Sequence, residues 1–181
     1  MDDKRRRFEA LVLPHLDAAY RFACWLSRAP GDADDVVQEA MLRAYRGFEG
    51  LRGSDVKAWL LAIVRNCHAT AMAQRSRRAH VPLPDENDAR DGHAMVATLP
   101  DPESAAIRSD HARTLERLMA MLPAEHREVL VLREIEDMDY REIAAATGVP
   151  IGTVMSRLAR ARAALKARWP ESTTGESHGV R

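Results

Sequence analysis

The sequence predicts an all-α protein made of two small helical domains joined by an acidic, proline-containing linker. Ala, Leu, Arg and Glu, which favour helices, are abundant, whereas aromatic residues make up only 5% of the 181 residues. Apolar residues recur at helical spacing on both sides of a middle stretch that shows no period. That middle stretch, residues 81–103, carries four of the nine prolines, as expected of a connecting segment.

Charge and cysteine content narrow the class of protein. Lys and Arg number 27, as do Asp and Glu, so the formal net charge is zero and the chain lacks overall basicity. Two cysteines cannot form a disulfide framework. The sequence has no apolar run of the roughly 20 residues that a membrane helix needs, no Gly-rich phosphate loop and no Cys/His metal motif. We therefore expect a soluble cytoplasmic protein without membrane insertion, metal or cofactor, and not an enzyme.

The charge is unevenly distributed, and this distribution divides the chain. Basic residues outnumber acidic ones by 14 to 10 in residues 1–80, whereas acidic residues lead by seven to two in residues 81–110. A single domain with a long loop is the alternative, but structureless loops of that length are uncommon. We predict a first domain over residues 1–80, a flexible acidic linker over 81–103, a second domain over 104–169 and a disordered tail over 170–181.

Three helical segments are predicted in the first domain. The first follows a helical period from Phe8 to Leu26, with an interruption near Pro14. Asp32 can cap a second helix that runs to about residue 48, and glycines then mark a loop before a long helix over about residues 55–78. We expect these side chains to be buried: Phe8, Leu11, Val12, Leu16, Ala19, Tyr20, Ala23, Cys24, Leu26, Ala33, Val36 or Val37, Ala40, Ala44, Phe48, Trp59, Leu60, Ile63, Val64 and Cys67.

The long helix ends in a basic stretch. It carries Arg65, Arg75, Arg77 and Arg78, with Asn66 among them. This composition suits contact with a DNA backbone. The same pattern is common on solvated helix faces, so the residues alone leave both interpretations open.

The second domain contains the clearest local signals. A helical period ends at Pro123, which begins a further helix to Ile135. Asp139 and Glu142 have the spacing of a capping box before a short helix over residues 140–147. Gly148 suits a left-handed C-terminal cap. We expect these side chains to be buried: Leu115, Leu118, Met119, Leu122, Val129, Leu130, Leu132, Ile135, Ile143 and Ala144.

The last predicted helix, over about residues 151–168, is basic and amphipathic. It carries five basic residues and no acidic one. A short helix, a tight Gly turn and a basic helix with small outward residues are typical of a helix-turn-helix, whose second helix enters the DNA major groove. The inward stripe is Ile151, Val154, Leu158, Ala161 and Leu165, and the outward residues are Thr153, Ser156, Ala159, Arg160 and Ala163.

These segments resemble a known family. Residues 148–162 (Gly-Val-Pro-Ile-Gly-Thr-Val-Met-Ser-Arg-Leu-Ala-Arg-Ala-Arg), with 122–130 and 140–144, are similar to region 4 of extracytoplasmic-function (ECF, group IV) sigma factors. Residues 32–40 (Asp-Ala-Asp-Asp-Val-Val-Gln-Glu-Ala) resemble their region 2.2, and residues 57–66 (Lys-Ala-Trp-Leu-Leu-Ala-Ile-Val-Arg-Asn) their regions 2.3 and 2.4. Two positions depart: Ala40 stands where the family usually has Thr, and Met155 where several members have Arg or Lys.

The resemblance implies a function without catalysis. It implies an alternative sigma factor that binds the β′ clamp helices and β flap of core RNA polymerase and directs promoter-specific initiation. Control by an anti-sigma factor and no obligate homo-oligomer are expected. The implied residues are Asp35, Gln38, Glu39 and Arg43 for core polymerase; Arg52, Ser54, Arg65, Asn66, Arg75, Arg77 and Arg78 for the −10 element; and Arg141, Thr153, Met155, Ser156, Arg157, Arg160 and Arg162 for the −35 element. The loop over residues 49–56 corresponds to the family's pocket for a flipped −10 base.

Alternative interpretations remain at this point. The acidic residues of 32–39 could form the divalent-metal site of an enzyme, but cap and outward helix positions account for most of them. Cys24, Cys67 and His68 could bind zinc, yet Cys67 falls on the apolar stripe. A free-standing helix-turn-helix transcriptional regulator would share the second domain, but its first half would not resemble region 2. The acidic linker is either a nucleic-acid mimic or a solvated tether.

Overall fold

The described residues of the chain form helices and no strand. A computed structural model describes residues 2–27, 30–51, 55–78 and 102–169. Within them, 3-10 helices lie at Leu13–His15 and Phe48–Gly50. The all-α prediction is confirmed. The predicted tail and nearly all of the predicted linker lie outside the described residues. The α-helices are α1 (Asp2–Val12), α2 (Leu16–Leu26), α3 (Pro30–Gly47), α4 (Val56–Arg78), α5 (Pro102–Ala120), α6 (Ala124–Glu134), α7 (Tyr140–Thr147) and α8 (Ile151–Arg168).

Helices α2, α3 and α4 form the core of the N-terminal bundle. Each of the three packs against the other two, and α1 adds Phe8 and Val12 to the same core. Pro14 lies in the 3-10 turn between α1 and α2, where the sequence indicates an interruption, because proline cannot donate a helical hydrogen bond. The largest fully buried side chains of this bundle are Val12, Phe22, Leu60, Leu61 and Val64.

Four side chains predicted to be buried in this bundle are exposed. Leu11, Leu16 and Tyr20 are 44%, 37% and 43% exposed, and Cys24 is also exposed. For Leu16, Tyr20 and Cys24 the prediction carried one helical period from α1 into α2, but the 3-10 turn changes its phase. Leu11 precedes that turn and lies about 100° around α1 from the buried Val12, outside the buried side of that helix. The buried side of α2 therefore keeps the predicted Ala19, Ala23 and Leu26 but adds Ala18 and Phe22.

Both ends of α7 form as the local signals predict. Asp139 Oδ1 accepts hydrogen bonds from the backbone N–H groups of Arg141 (2.7 Å) and Glu142 (2.8 Å). Glu142 Oε2 accepts one from the Asp139 N–H (2.6 Å), which completes the capping box. Gly148 has φ +70°, the left-handed conformation that a side chain would oppose. The capping box thus begins α7, and the left-handed Gly148 ends it shortly before α8 begins at Ile151.

Replacing Asp139 by Ala is expected to lower the free energy of unfolding by about 0.5–2 kcal/mol. The variant leaves two first-turn N–H groups without their acceptor. Urea unfolding followed by circular dichroism measures the difference. Asp139→Asn is the matched control, since its side-chain oxygen can still accept and should retain most of the stability. Equal losses in both variants would contradict the cap as the cause.

The end of α6 differs from the prediction. The N–H groups of Ile135 and Glu136 both donate to the carbonyl of Val131, at 3.0 Å each, so the helix ends at Glu134 and its period stops there. Ile135, predicted to be buried, is consequently 37% exposed, and Glu136 is buried in its place. Ile151 is also exposed, at 42%, because α8 begins there and its buried stripe starts one turn later.

The two halves of the described chain contact each other. Helix α2 packs against α6, and α4 packs against α7. Buried apolar residues of both halves belong to one continuous cluster. Within the described residues, no helix combines the length and apolar character required to cross a membrane.

Candidate nucleic-acid interface

The outward face of α8 is the most open basic surface of the helix-turn-helix. Val154, Leu158 and Ala161 are buried against α6 and α7, so the opposite side of α8 faces solvent. Ser156 and Arg160 are exposed there, one helical turn apart, and Met155 is 53% exposed beside them. No ion pair holds the Arg160 guanidinium within the described residues. A side chain with five donors and no internal partner can reach a base edge.

Two further arginines flank this face, and both are tied to α6. Arg157 forms an ion pair with Glu125, and Arg162 Nε donates to Glu134 Oε1 at 3.0 Å. Arg157 lies about 100° from Ser156 on one side, and Arg162 about 120° away on the other. Their positions suit contacts with the two phosphate backbones that border a DNA groove better than contacts with the bases inside the groove. Arg141, which is exposed in the first turn of α7, is a third cation of the helix-turn-helix.

The predicted −10 residues on α4 lie on different faces. Asn66 and Arg77 are exposed and about 20° apart around the helix, so they share one side. Arg75 lies about 180° from Asn66 and forms a two-bond ion pair with Asp32 at the start of α3. This Arg75 guanidinium is the main reason that the pKa of Asp32 is lowered. Arg75 therefore joins α4 to α3.

Arg65 is engaged by the other half of the chain. Its Nε donates to Glu128 Oε1 of α6 at 2.5 Å, and the Glu128 side chain is only 7% exposed. Burial raises the pKa of Glu128, and Arg65 opposes that rise. Arg52 and Ser54 lie outside the described residues, as does the side chain of Arg78. A cavity of about 510 Å³ opens beside the short 3-10 helix Phe48–Gly50, and its lining includes Lys4, Arg7, Phe48, Leu51 and Val56.

The outward face of α3 presents the residues predicted for core polymerase. Asp35 and Gln38 are exposed. Glu39 and Arg43 are joined along the same helix, with Arg43 Nε donating to Glu39 Oε1 at 2.6 Å. Opposite them, Ala33, Val36, Val37, Ala40 and Ala44 are buried against the bundle. The face is thus polar, regular and held on a rigid element, as a protein-docking surface requires.

The most buried charged side chain among the described residues is one that the sequence pattern did not indicate, Glu136. The Glu136 side chain has no exposed surface and accepts hydrogen bonds from Arg21 Nε (3.0 Å) and Nη2 (3.1 Å). Lys57 Nζ lies 3.0 Å from its carboxylate and donates to its backbone carbonyl at 2.5 Å. Arg21 and Lys57 belong to the N-terminal bundle. No periodicity signal could identify Glu136, because it follows α6 at the point where the helical pattern ends.

Titratable groups also meet between the halves. The carboxyl groups of Glu142 and of Asp55, which caps α4, lie close together, and the neighbouring Asp55 raises the pKa of Glu142. Burial opposes the ionisation of Asp55, but the neighbouring Glu142 and the hydrogen bond from the Ala58 N–H leave its pKa lowered. His68 is half-buried on α4, and its Nε2 has no hydrogen-bond partner within the described residues. Burial, and secondly the nearby Arg127, lower the pKa of His68.

The stability of the chain is expected to fall below pH 6.5 in part through His68. Its folded pKa lies below the reference value of 6.5, so neutral His68 favours the folded state above that pH. The contribution is lost as the pH falls, by at most about 1.4 kcal/mol per pH unit. Thermal unfolding at about pH 7.5 and about pH 5.5 should therefore show a larger loss for the native chain than for His68→Gln. Equal losses would exclude a displaced pKa at this histidine.

The residues considered for metal binding do not assemble into a site. Within the described residues, no group of three or more His, Cys, Asp or Glu side chains is placed to hold a metal ion. Cys67 is buried, as predicted, and burial raises the pKa of its thiol. Asp32 instead pairs with Arg75. Asp32 lies within the first turn of α3, which begins at Pro30, and not before the helix as the predicted cap, while Asp34 and Asp35 are exposed on the same helix.

Similar solved structures share this arrangement. The sigma factor RpoE of Bartonella quintana, in complex with the anti-sigma factor NepR, matches with a TM-score of 0.74 and 29% identity, over 90% of this chain and 96% of RpoE. CnrH, in complex with the cytosolic domain of CnrY, matches with a TM-score of 0.63 and 27% identity, over 90% of this chain and 87% of CnrH. Both likenesses extend over the two halves.

Sequence comparisons assign both halves. Residues 11–78 match the model of Sigma-70 region 2, and residues 112–165 match that of Sigma-70, region 4. The ECF RNA polymerase sigma-E factor of Escherichia coli K12 is 34% identical over 166 residues, and the RNA polymerase sigma-H factor of Pseudomonas aeruginosa is 33% identical over 164. Each match covers 89% of this chain and 85% of the relative. The ECF RNA polymerase sigma factor SigE of Mycolicibacterium smegmatis is 33% identical over 159 residues, and the chain spans 60% of its length. The chain therefore belongs to the ECF sigma factors of the sigma-70 family, which are transcription initiation factors and not enzymes.

Proposed function

We propose that this sigma factor binds core RNA polymerase and directs it to promoters through separate contacts to a −35 and a −10 element. The exposed basic face of α8, where none of the described residues forms an ion pair with Arg160, carries the proposal. Ser156 and Arg160 read −35 bases from the major groove, with Thr153 and Met155 beside them. Arg141, Arg157 and Arg162 bind the flanking phosphates, and the two that pair with α6 exchange those pairs for DNA.

The −10 element is assigned to α4 and the loop before it. Asn66 and Arg77 share an exposed side of the helix and would contact the non-template strand together. Arg78, Arg52 and Ser54 complete the proposed set, and the cavity beside residues 48–51 would receive a flipped base. Arg65 and Arg75 join only after releasing Glu128 and Asp32.

Core polymerase is assigned to the outward face of α3, formed by Asp35, Gln38, Glu39 and Arg43. The β′ clamp helices are the proposed partner of this face, and the β flap that of region 4. Regulation by an anti-sigma factor is supported by the two structural neighbours, each of which was solved with such a partner or with a cytosolic domain. A chain that acts with RNA polymerase works in the cytoplasm.

The proposal is tested by enriching genomic DNA fragments with the tagged protein, in the presence and absence of sigma-free core polymerase. We expect enrichment only with core, and a shared pair of −35 and −10 sequences among the recovered fragments. Enrichment of palindromic sites without core would instead identify a free-standing regulator. The recovered promoters then supply the templates for transcription assays.

Asp35→Arg is expected to weaken binding to core polymerase by about tenfold or more, because it reverses a charge within the proposed docking face. Binding is measured by fluorescence anisotropy of the labelled protein titrated with core. Asp17→Arg is the matched control: it also removes an exposed carboxylate from the N-terminal part of a helix in the same bundle, but on α2 and not on the proposed face of α3. Equal affinities of the two variants would remove Asp35 from the interface.

A further inference from the structure

The contact between region 2 and region 4 is built from opposite charges. Region 2 contributes three cations, Arg21, Lys57 and Arg65, whose side chains are 29–31% exposed. Region 4 contributes two carboxylates, Glu136 and Glu128, which are 0% and 7% exposed. They form two contacts: Arg21 and Lys57 meet Glu136, and Arg65, about 12 Å further along α4 from Lys57, meets Glu128. The two carboxylates are therefore much less exposed to solvent than the three cations.

Burying a carboxylate is costly unless its partners remain in place. Glu136 is held by Arg21 through two hydrogen bonds, near 3 Å, and by Lys57 through carboxylate and carbonyl contacts. Within the part of the chain that the structure describes, the partners of its carboxylate, Arg21 and Lys57, both belong to region 2, so Glu136 loses them if region 4 moves away. The contact is therefore specific to the closed arrangement. The separated halves would leave three cations of region 2 open to another anion.

The closed arrangement cannot serve both promoter elements. Elements centred about 25 base pairs apart lie about 85 Å apart on B-form DNA, at roughly 3.4 Å per base pair. In the described chain α4 packs directly against α7, the first helix of the helix-turn-helix. The two regions must therefore separate before α4 and α8 can engage one promoter. Separation releases Arg21, Lys57 and Arg65.

We infer that Glu128 and Glu136 of region 4 act as a phosphate mimic, occupying a nucleic-acid-binding face of region 2 formed by Arg21, Lys57 and Arg65 and holding the free chain closed. Carboxylates and phosphates are bound by the same charge-assisted hydrogen bonds from Arg and Lys. Arg65 lies next to Asn66 on the helix proposed to bind the −10 element, and Lys57 lies two turns before it. The inference rests on the proposed function, because it extends the −10 surface by Arg21 and Lys57.

The first test measures the closed state in the full-length chain. Glu136→Lys places a cation against Arg21 and Lys57, so the radius of gyration from small-angle X-ray scattering should rise while the helical circular dichroism is kept. Glu134→Lys is the matched control, since Glu134 is exposed two residues earlier and pairs within region 4. It should remain as compact as the native chain. Glu136→Gln keeps the size of the side chain and removes only its charge. It is the variant to measure if Glu136→Lys fails to fold. A compact Glu136→Gln chain together with a compact or misfolded Glu136→Lys chain overturns the inference.

The second test measures the released face. A fluorescent single-stranded DNA of mixed sequence is titrated by anisotropy at several salt concentrations. Three new phosphate contacts should steepen the slope of log K against log salt by about 2 in Glu136→Lys, so that binding weakens about twentyfold more between about 50 and about 200 mM salt. Adding Lys57→Gln to Glu136→Lys should reduce the steepness of the slope by about 0.7, because one phosphate contact is lost. If Lys57 only stabilised the fold, the slope would not change.

The outcomes separate the inference from the proposed function. Expansion with a steeper slope supports the phosphate mimic, whereas expansion without it overturns the mimic. Promoter-dependent transcription by the native chain with core polymerase tests the proposed function by itself. If the proposed function is wrong, this transcription assay fails. The scattering and salt-slope comparisons can still be interpreted in that case.

Discussion

Leu158→Ala is expected to lower the free energy of unfolding by about 2–5 kcal/mol. Leu158 is 1% exposed and lies on the side of α8 that packs against α6 and α7. Truncation removes apolar area from the core and leaves a cavity that α6 and α7 fill only in part. Urea unfolding followed by circular dichroism measures the loss. The expected loss is a large part of the stability of a small helical unit.

A similar truncation at the exposed first turn of α8 is the matched control. Ile151 is 42% exposed at the first turn of the helix, so Ile151→Ala is expected to cost about 1 kcal/mol or less. The pair also tests where the buried stripe of α8 begins, because the sequence pattern alone assigns both residues to that stripe. Similar losses for Leu158→Ala and Ile151→Ala would contradict the packing described for α8.

Local signals predicted the helix-turn-helix well because they act within a few residues. Asp139 and Glu142 cap α7 through their own backbone neighbours, and Gly148 needs only its own left-handed conformation. The bounds of α7 and α8 consequently agree with the prediction. No distant part of the chain is required for these features. The same reasoning explains the interruption at Pro14.

Burial was predicted less well where a helix changes phase or ends. Tyr20 and Leu16 follow the helical period of α1 on paper, but the 3-10 turn rotates α2 before they are reached. Ile135 continues the period of α6 beyond the residue where that helix ends. In each case a single turn of irregular backbone moves apolar side chains from the core to the surface. Periodicity contains no information about such a turn.

The candidate site shows the same division. The exposed face of α8 that we propose for the −35 element could be read from the sequence because one helix determines it. The surface proposed for the −10 element could not, since Arg65 and Arg75 are positioned by ion pairs with Glu128 and Asp32 on other helices. Glu136 is a stronger case: its burial depends on Arg21 and Lys57, 115 and 79 residues away in the chain. Only the packing of the two regions reveals these contacts.

Arg160→Ala is expected to weaken recognition at particular −35 positions by about 1–3 kcal/mol, or about 5- to 150-fold. Arg160 is exposed on the outward face of α8 and has no internal ion pair within the described residues, so its guanidinium is available for a base edge. A promoter library with a randomised −35 element, selected with the polymerase-bound sigma factor, measures the preference at each position. The preference should disappear at one or two adjacent positions and persist at the others.

Arg162→Ala provides the matched comparison on the same helix. Arg162 lies to the side of the face, paired with Glu134, and is assigned to a phosphate. Its loss should weaken all library members alike and reduce the salt slope by about 0.9. Because both variants remove one arginine from α8, their difference cannot arise from net charge. Uniform weakening by Arg160→Ala as well would make Arg160 a phosphate contact and leave −35 base recognition to Ser156 and its neighbours.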